Sequence, residues 1–469
     1  MHSLTRALAP DVHAHAAKTP VVVLDGGMGT TLQAPPFNLA LDSELWSSEL
    51  LATETGRDQL ARLHDTWIHQ GADIIQTCTY QSTLPLFLPK SDSPPSPATV
   101  SRSLETMTLA LSVAARSATD PDDVDKGKRR ARVALSLGPY GSALQPGQEY
   151  TGAYPPPFGP RETAAREARE STRPAAREAC PLPLAQVRAA YPPAAQQPPR
   201  SEADAAAAER SRQEREIHLA AWHLQRLQHF ATVSGSHHQE VVDVVAFETV
   251  PSLTEIRAIR KAMHIFNNNI TTDAPRREWP FYISLVFPRT SDSDSEVRFP
   301  DPELGHLATV ADQMPLLVEA ALSPSLSCPD RDRNHDHDHD HEEGYAVPGG
   351  LGFNCTSPLH AQNLVRLLSD QVADLQQQHR VDDDGKKPWL LVYPDGGAVY
   401  DVVSRSWHHP TGLTDPAWAR LVADAVQDAA TPPSSSSPWA GVVVGGCCKA
   451  GPSAIKALND EVDQRGWRR

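Results

Sequence analysis

Eight short apolar runs set the limits on what this chain can fold into. They fall at 21–25, 72–76, 133–137, 241–247, 281–285, 351–355, 389–393 and 442–444. None alternates apolar with polar residues, so each has the pattern of a strand buried on both faces. Stretches of helical periodicity separate them, as in 41–70, where Leu60, Leu63, Trp67 and Ile68 share one stripe. Others cover 101–118, the stripe Ile217, Leu224, Leu227 and Phe230, and then 253–263, 359–375 and 418–429. Strand and helix alternating through eight repeats is the outline of an α/β fold, a (β/α)8 TIM barrel.

The barrel is expected over 21–458 as a single domain, with 1–20 and 459–469 as terminal tails. Four segments interrupt the pattern, at 85–100, 155–211, 288–304 and 323–347. The chain holds 42 prolines, nearly twice the usual ~5%, and many of them lie in these segments. The segment 155–211 is rich in Pro, Ala, Arg and Glu and nearly lacks large apolar side chains. It cannot bury enough surface to offset its ordering entropy and is expected to be disordered or loosely helical. Insertions of this length are tolerated because they fall in connections. The alternating His335–His341 tract invites a metal assignment, yet its composition is that of a solvated low-complexity loop.

Lys and Arg number 43 against 58 Asp and Glu, a net charge of −15. With no basic stripe, nucleic acid is excluded as the main partner. No apolar run reaches the ~18 residues of a membrane span, and the first 20 residues lack the apolar core of a signal peptide. The expected setting is the cytoplasm, where the six cysteines, lacking a disulfide-type spacing, stay reduced. No feature of the sequence sets a subunit count.

Polar residues cluster where the runs end: Asp25, Gln76, Glu248, Asn354, Cys355, Tyr393, Cys447 and Cys448. The rim at the strand C-termini carries the chemistry of such barrels. Adjacent strand residues face opposite ways, but Gly445 and Gly446 precede Cys447 and Cys448 and free the backbone to aim both sulfurs one way. With Cys355, three thiolates from two strand ends suit Zn²⁺ with an open fourth position. The competing assignment is three inert core cysteines. The run Gly26-Gly27-Met28-Gly29 lacks the Lys-Ser/Thr of a phosphate loop and is expected to be a tight turn with exposed amides. On residue type alone, Asp25 also fits a turn cap and Glu248 a carboxylate at a helix N-terminus.

Seven separated blocks resemble the homocysteine S-methyltransferases that use S-methylmethionine or S-adenosylmethionine. They are LDGGMGT (24–30), QTCTYQ (76–81), GQEYTG (147–152), AFETVP (246–251), FNCTSP (353–358), VYPDGGAVYD (392–401) and GGCCKAGP (445–452). The resemblance implies a zinc-dependent (β/α)8 barrel with one Zn²⁺ per chain on Cys355, Cys447 and Cys448. It implies that Asp25 and Glu248 hold the amino group of homocysteine, with the amides around Gly27 and the side chain of Gln76 completing that pocket. Tyr393 and the turn after it would line the donor pocket. The implied reaction is attack of a metal-activated thiolate on the methyl carbon of a sulfonium, giving methionine.

Two departures stand out: Lys449 replaces the usual Arg after the cysteine pair, and Pro-Asp-Gly-Gly replaces the more frequent Pro-Asn-Ser-Gly. Betaine is an alternative donor within the same chemistry. A catalytically silent zinc-binding or interaction protein is the alternative outside it. The chain has no room for cobalamin and folate modules.

Overall fold

The computed structural model describes residues 3–8, 19–119, 131–145, 147–160, 169–170, 180–191, 203–232, 241–268, 278–290, 296–324, 344–378, 387–401, 406–408, 412–431 and 437–468. Eight barrel strands follow in order: β1 (Val21–Val23), β2 (Ile74–Gln76), β3 (Arg132–Leu137), β4 (Val244–Val250), β5 (Phe281–Leu285), β6 (Gly350–Asn354), β7 (Trp389–Tyr393) and β8 (Gly441–Val444). Each pairs in parallel with the next from β2 to β8, and β8 pairs with β1. A parallel bridge from Leu24 to Ile74 joins β1 to β2 and closes the ring. The eight apolar runs are therefore the eight staves. The β4 strand begins three residues later than its run suggests and carries Glu248 within it rather than after it.

Among the described residues, the α-helices of six residues or more are α1 (Ser3–Leu8), α2 (Glu54–His69), α3 (Pro97–Ala118), α4 (Leu184–Ala189), α5 (Ala203–Thr232), α6 (Leu253–Asn268), α7 (Val310–Leu322), α8 (Ala361–Gln378), α9 (Asp415–Ala430) and α10 (Pro452–Gln464). Side-chain caps set several starts. The Thr53 hydroxyl accepts the Gly56 N–H before α2, and Thr309 and Asp312 form a reciprocal capping box on α7. No helix among the described residues is long and apolar enough to cross a membrane.

The described parts of both expected tails belong to the fold. Leu4 and Leu8 of α1 are buried with the barrel-interior residues Leu24, Ile74, Val244 and Trp389. The Trp389 indole N–H donates to the Thr5 hydroxyl at 3.0 Å, so α1 plugs the end of the barrel where the strands begin. At the other terminus Trp467 is buried and Arg468 pairs with Asp73 at 2.9 Å. Short amphipathic segments escape a search for long periodic runs, yet a single Leu or Trp placed over an open barrel end buries enough area to hold them. Leu4→Ala should lower unfolding free energy by about 2–5 kcal/mol, the cost of a core cavity. Denaturant titration reads this, and the far rim, where the strands end, should be left unchanged because α1 lies at the opposite mouth of the barrel.

The insertions are also more anchored than their composition implies. Within 85–100 the structure places buried Leu86 and Leu88, and α3 begins at Pro97 with the Ser96 hydroxyl as its cap. In the described part of 155–211, Phe158 stacks on Tyr140 at 3.9 Å, Cys180 and Val187 are buried, and α4 and the start of α5 are formed. Val297 and Phe299 are buried within 288–304, where the Asp301 carboxylate accepts the Leu253 N–H. Tyr345, at the end of 323–347, donates to Glu216 on α5. One apolar or aromatic anchor per segment suffices to dock it, which an average over composition misses. The His335–His341 tract lies outside the described residues.

Candidate active site

Strand pleating sends alternate residues into the barrel, and the last inward residues before the rim are polar. Gln76, Ser136, Glu248, Ser284 and Asn354 occupy this layer, above apolar Ile74, Ala134, Ala246 and Tyr282. Ser284 donates to the Asn354 side-chain oxygen at 2.8 Å, and the Thr249 N–H donates to the same atom at 2.8 Å. The Asn354 amide N–H₂ then donates to the Thr249 hydroxyl at 2.8 Å and points at the Cys447 sulfur, 3.7 Å away. The Tyr393 hydroxyl is within reach of both Ser284 and Glu248 and stands between this network and the carboxylates, completing a polar floor.

Asp25 follows β1 and is buried. Its Oδ2 accepts the Gln76 backbone N–H at 2.8 Å, while Oδ1 is buried with no partner. The Gln76 side chain donates to Glu248, whose other oxygen accepts the Ser136 hydroxyl. Gln76 thus clips the two carboxylates together through its backbone and side chain. Burial, with Glu248 nearby, pushes the Asp25 carboxyl well above its usual range. Burial also raises Glu248, against the Ser136 and Gln76 hydrogen bonds that lower it. Two buried acids this close, one with an idle oxygen, form a receptor for a cation.

Gly27 plays a different part from the one expected. Its N–H donates to the Ala450 carbonyl, and its own carbonyl accepts from Thr30 and Thr31. The amide is consumed within the protein. A Cβ at Gly27 would sit 2.5 Å from the Cys447 carbonyl oxygen, so glycine is needed for the close approach of this turn to the cysteine loop.

Cys355, Cys447 and Cys448 converge, with their sulfurs all within 4.8 Å of one another. Cys355 and Cys447 are in bonding contact as a disulfide, with Cα atoms 5.5 Å apart, and Cys448 lies 4.0 Å from Cys355. This differs from the expectation that all the thiols stay free, because sulfurs brought this close can also join to each other. Burial, with Asp395 and Glu149 nearby, pushes the Cys448 thiol up to about 12. It therefore keeps its proton at neutral pH unless a cation offsets the charge. In the reduced form, three soft sulfur donors match three positions of a tetrahedral metal and leave the fourth for another ligand.

The glycine pair works by space rather than by angle. Neither Gly445 nor Gly446 adopts positive φ, whereas Cys355 (φ 48°) and Lys449 (φ 65°) do. A Cβ at Gly446 would lie 2.4 Å from the Ala450 Cβ. Non-glycine residues held in the left-handed region mark a loop whose shape is imposed by its surroundings.

This geometry coincides with the match of residues 22–209 and 161–462 to the family described as homocysteine S-methyltransferase. The chain belongs to the homocysteine S-methyltransferase family. Homocysteine S-methyltransferase 3 of Zea mays is 23% identical over 446 residues, covering 94% of this chain and 90% of that protein. The selenocysteine methyltransferase of Astragalus bisulcatus is 24% identical over 445 residues, covering 93% and 90%. Among solved structures, the oxidised form of the homocysteine methyltransferase MmuM from Escherichia coli shares the fold. Its TM-score is 0.50 at 18% identity, over 97% of this chain and 99% of that one.

Asp25, Gln76, Glu248 and the three cysteines therefore share the rim of a homocysteine S-methyltransferase barrel. Tyr393, the last residue of β7, is buried in the barrel interior with Tyr282, within reach of Glu248. Sequence reasoning passed over Glu149, Tyr80 and Tyr150. Burial raises Glu149 to about 7, and its Oε2 is buried without a partner. Cys448 and Glu149 both lie near the two tyrosines, which are buried. The signal was present in the GQEYTG block, a charged residue between a strand end and an insertion.

Proposed function

We propose that this protein transfers a methyl group from a sulfonium donor, S-methylmethionine or S-adenosylmethionine, to the thiol of L-homocysteine, giving methionine. Cys355, Cys447 and Cys448, in the reduced state that a cytoplasmic setting maintains, would hold one Zn²⁺ per chain. Bound there, Zn²⁺ supplies the Lewis acidity that ionises a thiol at neutral pH, where a free thiol of pKa near ~8.5 is mostly protonated.

The observation that carries the proposal is the placement of the three sulfurs beside the Asp25–Gln76–Glu248 clip on one polar floor. Homocysteine carries an ammonium group and a thiol on one short chain, and the site offers one receptor for each. The idle Asp25 Oδ1 accepts an ammonium N–H, and the arriving positive charge favours the ionised form of both acids. Gln76 keeps the two carboxylates in place, which turns the thiol toward the cysteines. Its sulfur then forms a bond to the donor's methyl carbon while the carbon–sulfonium bond breaks. The bonding pair returns to the donor sulfur, which leaves as a neutral thioether, and the thiol proton passes to solvent. A neutral leaving group needs no acid catalyst, so the protein's contribution is alignment and thiol activation.

The test is methionine formation by reduced, zinc-loaded protein offered S-methylmethionine, S-adenosylmethionine and betaine separately. Turnover with a sulfonium donor is expected. Turnover with betaine alone would replace the donor assignment, and no turnover with one tightly bound zinc would sink the enzymatic assignment.

A further inference from the structure

One buried cation lies outside the site and is wired directly to its wall. Arg226 projects from α5, and its side chain is buried. Its Nε donates to the Ser82 carbonyl at 3.0 Å and its Nη1 to the Gly138 carbonyl at 2.7 Å. Its Nη2 reaches the Tyr80 carbonyl at 2.9 Å and the Thr79 carbonyl at 3.3 Å. The guanidinium plane lies over the Trp222 ring, 4.4 Å from its centroid. A single side chain thereby ties the turn after β2 (Thr79 to Ser82) to the turn after β3 (Gly138).

Those turns carry the wall of the site. The Tyr80 ring packs so tightly over Gly138 that a Cβ there would lie 2.8 Å from it, and the Gly138 N–H donates to the Tyr80 carbonyl at 2.9 Å. The Tyr80 hydroxyl hydrogen-bonds the Thr249 side chain, which is itself bonded to Asn354, so this ring lies against the polar floor of the site. Buried Glu255 of α6, close enough to act on Arg226, accepts the Tyr140 N–H at 2.7 Å, the Tyr154 hydroxyl and His223 at 3.0 Å, and so holds the same β3 turn.

The Thr79 and Tyr80 carbonyls also accept the Ser82 and Gly138 N–H groups, and leaving the Ser82 and Gly138 carbonyls unpaired in a buried turn would be costly. Arginine meets four at once because its planar fork holds five donors in fixed directions. Lysine offers one point of charge and cannot span the same set. Charge burial without a hydrogen-bonded carboxylate is expensive, and a packing role alone would be filled by leucine or methionine.

We propose that Arg226 is a positioning residue for methyl transfer: by clamping four carbonyls of the β2 and β3 turns, it fixes the Tyr80 wall against which the two substrates align. The inference rests on the methyltransferase assignment above for its catalytic readout. Arg226 hydrogen-bonds turn carbonyls and so acts through the turns.

Arg226→Lys and Arg226→Gln should keep one zinc per chain but lose roughly tenfold or more in kcat/KM for the sulfonium donor, as misplacement of about an ångström does. Leu4→Ala serves as the control, being destabilised at the far end of the barrel with kcat intact. In a Tyr80→Ala background, Arg226→Gln should change kcat/KM by no more than about twofold, since coupled residues are not additive. Hydrogen exchange at the Ser82 and Gly138 amides should quicken in Arg226→Lys, a readout that does not need turnover. Wild-type inactivity would therefore overturn the methyltransferase assignment while exchange still decides whether Arg226 clamps the turns. Unchanged exchange, activity lost only in step with the folded fraction, or full additivity with Tyr80→Ala would each overturn the positioning role.

Discussion

Cys448→Ala should abolish methionine formation and release the metal in the same variant. Cys448 is the free thiol beside the Cys355–Cys447 pair, and all three sulfurs lie within 4.8 Å of one another. Two remaining sulfurs would hold Zn²⁺ weakly, because soft tetrahedral sites depend on ligand count. Without the metal, a homocysteine thiol of pKa ~8.5 is only about 3% ionised at pH 7, a loss of roughly 30-fold before geometry is counted. Loss of the fixed sulfur position adds to this, so the total loss should reach roughly 10³-fold or more. Any residual rate should climb about tenfold per pH unit up to the thiol's own pKa, as the thiolate fraction does. The wild-type rate should be much flatter over the same range. Metal analysis and a pH–rate profile measured side by side check this. A variant that loses activity while keeping its zinc would place Cys448 in some other role.

Asp25→Asn should act on homocysteine binding and leave the metal in place. The carboxylate contributes an idle buried oxygen, and a charge-assisted hydrogen bond there is worth about 1.5–3 kcal/mol. That corresponds to roughly a 10- to 100-fold rise in KM for homocysteine, with a smaller change in kcat. The pH dependence has a definite sign. Burial holds Asp25 and Glu248 above their ordinary range, so in acid the empty site is protonated and an ammonium must displace a proton. KM should therefore rise as pH falls in the wild type, and less steeply in Asp25→Asn. Stability moves the opposite way. A carboxyl with a raised folded pKa binds its proton more tightly folded than unfolded, so its contribution is present at low pH and lost as pH rises through the folded value. Relative to wild type, the Tm of Asp25→Asn should improve toward alkaline pH. An unchanged KM would show that Asp25 does not hold the amino group.

The barrel was legible because its strands are buried on both faces, which removes alternation and leaves eight compact apolar runs such as Trp389–Tyr393. The rim residues were legible for a related reason: Asp25, Gln76, Asn354 and Cys355 stand at strand ends and Glu248 near the end of its strand, where a barrel gathers side chains from distant parts of the chain. Other features carried no local signal. The α1 plug is six residues long, too short for periodicity to register, and its value lies in the barrel mouth it covers. Phe158, Val187 and Phe299 sit singly in polar segments, and only a neighbouring groove makes each an anchor.

The sequence by itself determined the (β/α)8 architecture and the residue types at its catalytic rim, since hydrophobic period and strand-end chemistry are local properties. Tertiary structure alone decided how those residues divide the work. The Gln76 clip, the Gly27 amide turned to Ala450, the Cys355–Cys447 contact and the four-carbonyl reach of Arg226 are each set by partners 50 to several hundred positions away in the chain, as in Gln76–Glu248 (172 apart) or Thr30–Lys449 (419 apart). Hydrogen-bond partners are chosen by proximity in the folded state, and a linear sequence does not encode distance between strands until the barrel has closed.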